Sequence, residues 1–240
     1  MKRAERRRVS RRDGPLLVVT GLTREAICAA GAGVETLCSG ADVAVLRDAL
    51  DQRDGADYSG VVSFGLAGGL DHALSPGDVV VATSAASNGR SHETHARLAS
   101  VLTEGLASAG LRVSGGAVVG VDAPAMDPAA KTALREKFGA VAVDMESHLA
   151  GEFAAARDLP FAIVRVISDP ARRALPALAA SAVRPDGGVD IAHVLCELSR
   201  DPAQLMGLVR AGLDARAAFA SLGRCGRLIG PLARLVLAGL

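Results

Sequence analysis

The chain has 240 residues, half of them hydrophobic but only six aromatic, with a formal net charge of +1. That length suits one α/β domain with a core of Ala, Val and Leu, and the balanced charge gives no case for nucleic-acid binding. Four dispersed cysteines (Cys28, Cys38, Cys196, Cys225) without a C-x-x-C pair fit reduced thiols rather than a disulfide framework or a zinc site, and the lack of an 18-residue apolar run argues against a transmembrane helix.

In chain order, residues 1–13 read as a disordered basic arm. Ser10-Arg11-Arg12 ahead of an apolar run has the outline of a twin-arginine export signal, but Arg24-Glu25 cuts that run short. Residues 14–225 are assigned to one domain and 226–240 to an apolar C-terminal tail. The first strand is predicted at Leu16–Thr20, followed by Thr23 as N-cap of a helix to about residue 30. A helix N-terminus after a parallel strand is an anion-binding geometry, which makes Arg24 and Glu25 first-turn candidates for a site. A short strand is predicted at Val34–Cys38, then a helix opened by Ser39-Gly40-Ala41-Asp42 and reaching about residue 52.

Residues 61–70 read as a buried strand running into a loop with Gly65, Gly68 and Gly69. There the backbone can approach a ligand closely or take φ > 0, with Ala67 and Gly68 as candidate contacts. The spacing is not G-x-G-x-x-G, and no Walker lysine is present. A turn at Pro76-Gly77-Asp78 leads into a strand at 79–83. His92-Glu93-Thr94-His95 is predicted to begin a helix reaching about residue 109. Its histidines are three apart rather than the four of H-E-x-x-H, so no metal site is assigned. A long strand over 112–121, bulged at Gly115-Gly116, precedes a helix over 129–138 opened by Asp127-Pro128.

The most informative stretch runs from Val141 to Asp169. A brief apolar strand ends in Asp144-Met145-Glu146-Ser147-His148, a helix follows, and a β-branched run broken only by Arg165 ends in Ser168-Asp169-Pro170. This alternation predicts strand–helix–strand in a parallel sheet, where residues past the carboxyl ends of strands line the ligand crevice. Glu146 and Asp169 are therefore expected at one sheet edge. Beyond them, Arg184-Pro185-Asp186-Gly187-Gly188 is a predicted turn, with helices near 191–198 and 202–222. The tail carries Leu228, Ile229, Leu232, Leu235, Val236 and Leu237, which suits a docked terminus, a neighbouring subunit or a bilayer surface.

Four motifs in this order, Phe64-Gly65-Leu66-Ala67-Gly68-Gly69-Leu70, Gly77-Asp78-Val79-Val80, Val143-Asp144-Met145-Glu146 and Arg165-Val166-Ile167-Ser168-Asp169, resemble the nucleoside phosphorylase / methylthioadenosine–adenosylhomocysteine nucleosidase superfamily. Val143–His148, Arg165–Pro170 and Arg184–Gly188 look like its hopanoid-associated phosphorylase subfamily. The resemblance implies a three-layer α/β/α sandwich around a mixed, partly barrel-like sheet. It also implies a homo-oligomer and removal of adenine from 5′-adenosylhopane, a lipid-linked nucleoside. A cytoplasmic enzyme is expected, with the tail or the basic arm as its means of peripheral membrane contact.

By the same resemblance Asp169 protonates N7 of the leaving base, with Ser168 orienting it. Glu146 accepts hydrogen bonds from the ribose hydroxyls, and Met145 packs on the sugar. No cofactor is implied. Water activated by Glu25 and phosphate bound by Arg24 stand as alternative nucleophiles. Ser63 and Leu66 occupy positions where phosphorolytic relatives carry arginine and serine, so part of the usual phosphate set is missing. No aromatic residue stands near Asp122–Pro124, where many relatives stack the purine. Two other readings remain open: a salvage enzyme acting on small nucleosides such as methylthioadenosine, and a non-catalytic nucleoside-binding protein.

Overall fold

The computed structural model describes residues 14–174 and 205–239. The basic arm, the 184–188 turn and the helix near 191–198 lie outside the described residues. The fold is a mixed α/β sandwich built on a ten-stranded sheet. Its centre is β3 (Gly60–Gly69), which pairs in parallel with β1 (Leu16–Thr20) along its first half and with β10 (Phe161–Asp169) along nearly its whole length. β2 (Val34–Cys38) extends the sheet beyond β1.

At its far end β3 pairs instead with β9 (Ala142–Asp144), which runs antiparallel to it through Gly68 and Gly69. The expected parallel unit around residues 141–169 is thus corrected. β9 and β10 are separated by β3 and run in opposite directions, so Glu146 and Asp169 follow strands that lie on its two sides.

Apolar side chains alternate between the two sheet faces, as strand geometry requires. One face carries Val61, Ala67, Ile163 and Ile167 against α2 (Val43–Asp51) and α5 (Ser147–Ala156). The other carries Val62, Phe64, Val164 and Val166 against α1 (Thr23–Ala29), α3 (Ala96–Ser108) and α6 (Leu205–Leu237).

Several boundaries differ from the sequence reading. The segment expected as a glycine loop is continuous strand, and none of Gly65, Gly68 or Gly69 has positive φ. Residues 79–83 give only β4 (Val79–Val81), and β5 (Ser84–Ser87) starts a separate pairing. Likewise 112–121 divides at Gly115-Gly116 into β7 (Val113–Ser114), which pairs with β4, and β8 (Ala117–Gly120), which pairs with β5 and β9. His92 and Glu93 belong to β6 (Arg90–Glu93), and His95 is the N-cap of α3, so the two histidines do not share a helix face.

The helix expected to stop at residue 222 continues to Leu237, through Gly226, Gly230 and Pro231. Ala218, Leu222, Cys225, Ile229, Ala233 and Val236 recur three or four residues apart and are all buried in one core cluster. That stripe gains more from burial than the local breakers cost. Residues 226–237 of the proposed tail are therefore the last part of a helix docked on this chain's own core. Among the described residues no helix is long and apolar enough to cross a membrane.

Candidate active site

Glu25 lies in the first turn of α1 and is only 3% exposed. The helix begins after Leu22 rather than at a Thr23 cap, and the Glu25 carboxylate satisfies the chain's entry into it. Oε2 accepts the N–H groups of Gly21 and Leu22 at 2.8 and 2.9 Å, and Oε1 accepts that of Leu66 at 2.8 Å. Burial pushes the Glu25 carboxyl above its usual range, against the opposing pull of Arg165 and of the backbone donors.

Arg165, on β10, has no exposed surface. A guanidinium there must be paired to be tolerated. Its Nε forms an ion pair with Asp144 Oδ2 at 2.7 Å, and its Nη2 pairs with Glu146 Oε2 at 3.3 Å. Nη2 also donates to Ser63 Oγ at 2.6 Å, while Ser147 Oγ, held by Asp144, completes the network. Two carboxylates thus pair directly with one cation, and that of Glu25 acts on it electrostatically. Burial holds Arg165 back from charging, but the three carboxylates outweigh it and raise its pKa. Glu146, 6% exposed, is pushed up to about 7 by burial, with Arg165 opposing and Asp144 and Glu25 reinforcing the shift.

Glycine is required where these groups converge. A Cβ at Gly21 would lie 2.5 Å from Glu146 Oε1, and one at Gly65 would lie 2.7 Å from both Glu25 Oε2 and Arg165 Nη1. The glycines serve close approach rather than unusual φ.

A second group gathers at Gly68. β10 carries a register shift between Ile167 and Asp169, which places Asp169 opposite Gly68. The bulge re-aims the carboxylate at the end of the strand. Ser168 Oγ donates to Asp169 Oδ1 at 2.6 Å and lies 3.3 Å from the Ala67 carbonyl. Lys131, on α4 (Pro128–Phe138), donates to Asp169 Oδ2 at 2.5 Å. The two groups stand three residues apart on β3, about 10 Å along the strand.

Of the residues singled out in the sequence, Glu25 and Glu146 converge on Gly21, while Ser168, Asp169, Ala67 and Gly68 converge at the other end. Met145 is partly buried between Asp144 and Glu146. Arg24 is not in either group: it is exposed and its guanidinium stacks 4.0 Å over the ring of Phe219 on α6. Sequence reasoning missed the roles of Arg165, Asp144, Ser63, Ser147 and Lys131. Arg165 carried a signal, a charge inside an apolar strand, whereas Lys131 pairs across 38 positions and carried none. Among the described residues no group of three His, Cys, Asp or Glu side chains is placed to hold a metal ion.

The sequence matches the family model described as Phosphorylase superfamily over residues 16–198. No curated protein matches it. The structure is similar to the 5′-methylthioadenosine/S-adenosylhomocysteine nucleosidase of Helicobacter pylori, at 16% identity and a TM-score of 0.61, covering 79% of this chain and 99% of that one. It is similar to the futalosine hydrolase of Helicobacter pylori strain 26695, at 15% identity and a TM-score of 0.62, covering 78% and 99%. A third likeness is to the nucleosidase of Colwellia psychrerythraea 34H in complex with adenine, at 18% identity and a TM-score of 0.60, covering 78% and 96%. At these identities the likeness is one of fold.

Proposed function

The chain belongs to the Phosphorylase superfamily, and from that premise we propose that it cleaves the N-glycosidic bond of an adenine nucleoside with water as the nucleophile. The observation that carries this reading is the position of Glu25. Its carboxylate takes the N–H groups of Gly21, Leu22 and Leu66, the donors that an external phosphate would need at this helix N-terminus. The site already contains its anion. Arg24 is turned onto Phe219, and Arg165 is committed to Asp144 and Glu146, with Glu25 adding to the field around it. A phosphate dianion entering here would meet net negative charge.

Each residue then has a chemical task. Glu25 fills three of roughly four acceptor sites with backbone donors, leaving one Oε1 lone pair for a water, and its raised pKa makes it a stronger base. Glu146, once ionised, accepts the ribose hydroxyls and fixes the sugar for bond cleavage. Asp169 stands where the base leaves. Lys131 Nζ and Ser168 Oγ each donate to one of its oxygens, and the Lys131 ammonium supplies the proton that Asp169 passes to N7, where the departing base gathers negative charge. The finer assignment, adenine released from lipid-linked 5′-adenosylhopane, rests on the motifs at Val143–His148 and Arg165–Pro170.

Base release is measured with and without phosphate on 5′-adenosylhopane and on methylthioadenosine. Equal adenine release in both conditions, with free ribose as the sugar product, is expected. Phosphate-dependent release yielding ribose 1-phosphate would overturn hydrolysis. Turnover of methylthioadenosine alone would move the substrate to small-nucleoside salvage.

A further inference from the structure

The outward face of α6 is unusual for what it lacks. Opposite the buried stripe of this helix, exposed residues recur along its whole length, about 50 Å at 1.5 Å per residue. Every exposed position from Gly207 to Leu235 is an arginine or an apolar or small residue, and none is an acid, an amide or a hydroxyl. The arginines are Arg210, Arg216, Arg224, Arg227 and Arg234. Arg224 and Arg234 donate to the carbonyls of Ala109 and Ala32, which leaves their charge in place. The one acid of the helix, Asp214, is turned off this face onto Arg173.

Val209, Leu213 and Leu235 stand among the arginines at 48, 61 and 70% exposure. Ile27, on α1 alongside, adds another at 69%, and of the large apolar side chains exposed among the described residues only Val45, on α2, lies elsewhere. Singly exposed apolar residues are ordinary, but a solvated helix face carries charges of both signs. A second copy would set arginine against arginine across a two-fold axis, which is repulsive. Nucleic acid would use the arginines but neither the leucines nor any stacking ring on this face. A bilayer uses both: leucines enter the headgroup boundary while guanidinium groups stay at the phosphates. We propose that the outward face of α6, with Ile27 of α1, docks on an anionic lipid bilayer. Its first turns lie at the site end of the sheet, because Asp214 pairs with Arg173 just past Asp169 and Arg24, following β1, lies over Phe219. Docking sets the site beside the membrane, where a lipid-linked nucleoside resides. It depends on the stripe and not on that substrate, so the two readings fail separately.

The full chain is sedimented with phosphatidylcholine vesicles with and without phosphatidylglycerol, at low and high salt. Binding to the anionic vesicles alone, weakened by salt, is expected. Residues 1–13 are also basic, so variants decide which element binds. Leu213→Ser should lower binding on the order of tenfold, the scale of burying one leucine. Arg210→Gln with Arg216→Gln should lower it by roughly tenfold or more, at about fivefold per cation near an anionic surface. Val45→Ser, on the opposite layer, should bind as wild type does. All these positions are exposed, and thermal melts check that each variant stays folded. A wild type that does not bind anionic vesicles overturns the inference, as does binding that both stripe variants leave unchanged. Loss in the arginine variant with Leu213→Ser unaffected is adsorption by charge alone and also overturns it. A dimer, seen by light scattering, that Leu213→Ser dissociates in a protein without vesicle affinity gives the face to a second copy and overturns it too. Base release is assayed without vesicles, so its absence refutes the proposed catalysis and leaves docking standing.

Discussion

The two ends of the glycine segment of β3 both set carboxylates against a buried cation, but the stoichiometry differs. At Gly65 one guanidinium faces Asp144, Glu146 and Glu25. At Gly68 one ammonium faces one carboxylate. Excess negative charge withdrawn from water is relieved by taking up a proton, which is why Glu146 is pushed up to about 7 and Glu25 is raised as well. The first end is thus a proton-accepting site poised near neutrality. The second is a one-to-one pair of Lys131 and Asp169. On the proposed reading the first end takes a proton from the nucleophile and the second meets the base that leaves.

Glu25→Gln and Asp169→Asn test this division most severely. Both should lower base release by about 10²–10⁴-fold, the usual worth of a general acid or base. They should differ in binding. Glu25→Gln leaves adenine affinity intact, because it alters only the sugar end, whereas Asp169→Asn weakens adenine as well. Equal loss of adenine affinity in both variants, measured by calorimetry, would break the comparison.

Glu146→Gln should raise KM and lower kcat/KM by roughly tenfold or more, the scale of hydrogen bonds to a charged acceptor. It should also change the pH dependence. Wild-type kcat/KM is expected to rise as pH passes through about 7, because the proposed role of Glu146 is to accept the ribose hydroxyls as a carboxylate. The stability effect has the opposite direction. A carboxyl raised from 4.5 to about 7 on folding binds more protons folded than unfolded between those values, so stability falls as pH rises through that window. Glu146→Gln should flatten that part of a melting-temperature profile. A variant with an unaltered acid limb and an unaltered profile would detach Glu146 from both effects.

The sequence carried most of the elements and singled out Glu25, Glu146 and Asp169, because β-branched runs, helix openings at Asp42 and Asp127, and the motif around Val143–Glu146 are local signals. It did not carry the pairing. β9 looked like a parallel neighbour of β10, and only the tertiary structure inserts β3 between them and reverses β9. Nor could composition distinguish glycines that turn a loop from glycines that admit side chains from the next layer. Gly65 was legible as a close-approach position, but the groups approaching it come from residues 25 and 165, far away in the chain. The extension of α6 was hidden for the opposite reason. Local breakers such as Gly226 and Pro231 are strong signals, and the buried stripe that overrides them needs the rest of the core to be seen.

The glycines also allow the two ends to be disturbed one at a time. A Cβ at Gly65 would lie 2.7 Å from Glu25 Oε2 and Arg165 Nη1, atoms held in a buried network that has no room to yield. Gly65→Ala should cost about 1–3 kcal/mol of stability, as overpacking does, and should abolish most turnover while leaving adenine affinity in place. A Cβ at Gly68 meets Val143 Cγ1 at 3.1 Å and Asp169 Oδ2 at 3.2 Å, so a shift of a few tenths of an ångström suffices. Gly68→Ala should therefore destabilise by less than about 1 kcal/mol, the mild end of the same overpacking scale. Its signature should be a shift in base affinity, with the acid limb near pH 7 unmoved. Thermal melts, adenine titration and a pH profile on the two variants read these separately. If Gly68→Ala displaced the acid limb, or Gly65→Ala altered adenine affinity, the ends would be one coupled cluster, and a proton taken up at Glu146 would be felt at Asp169.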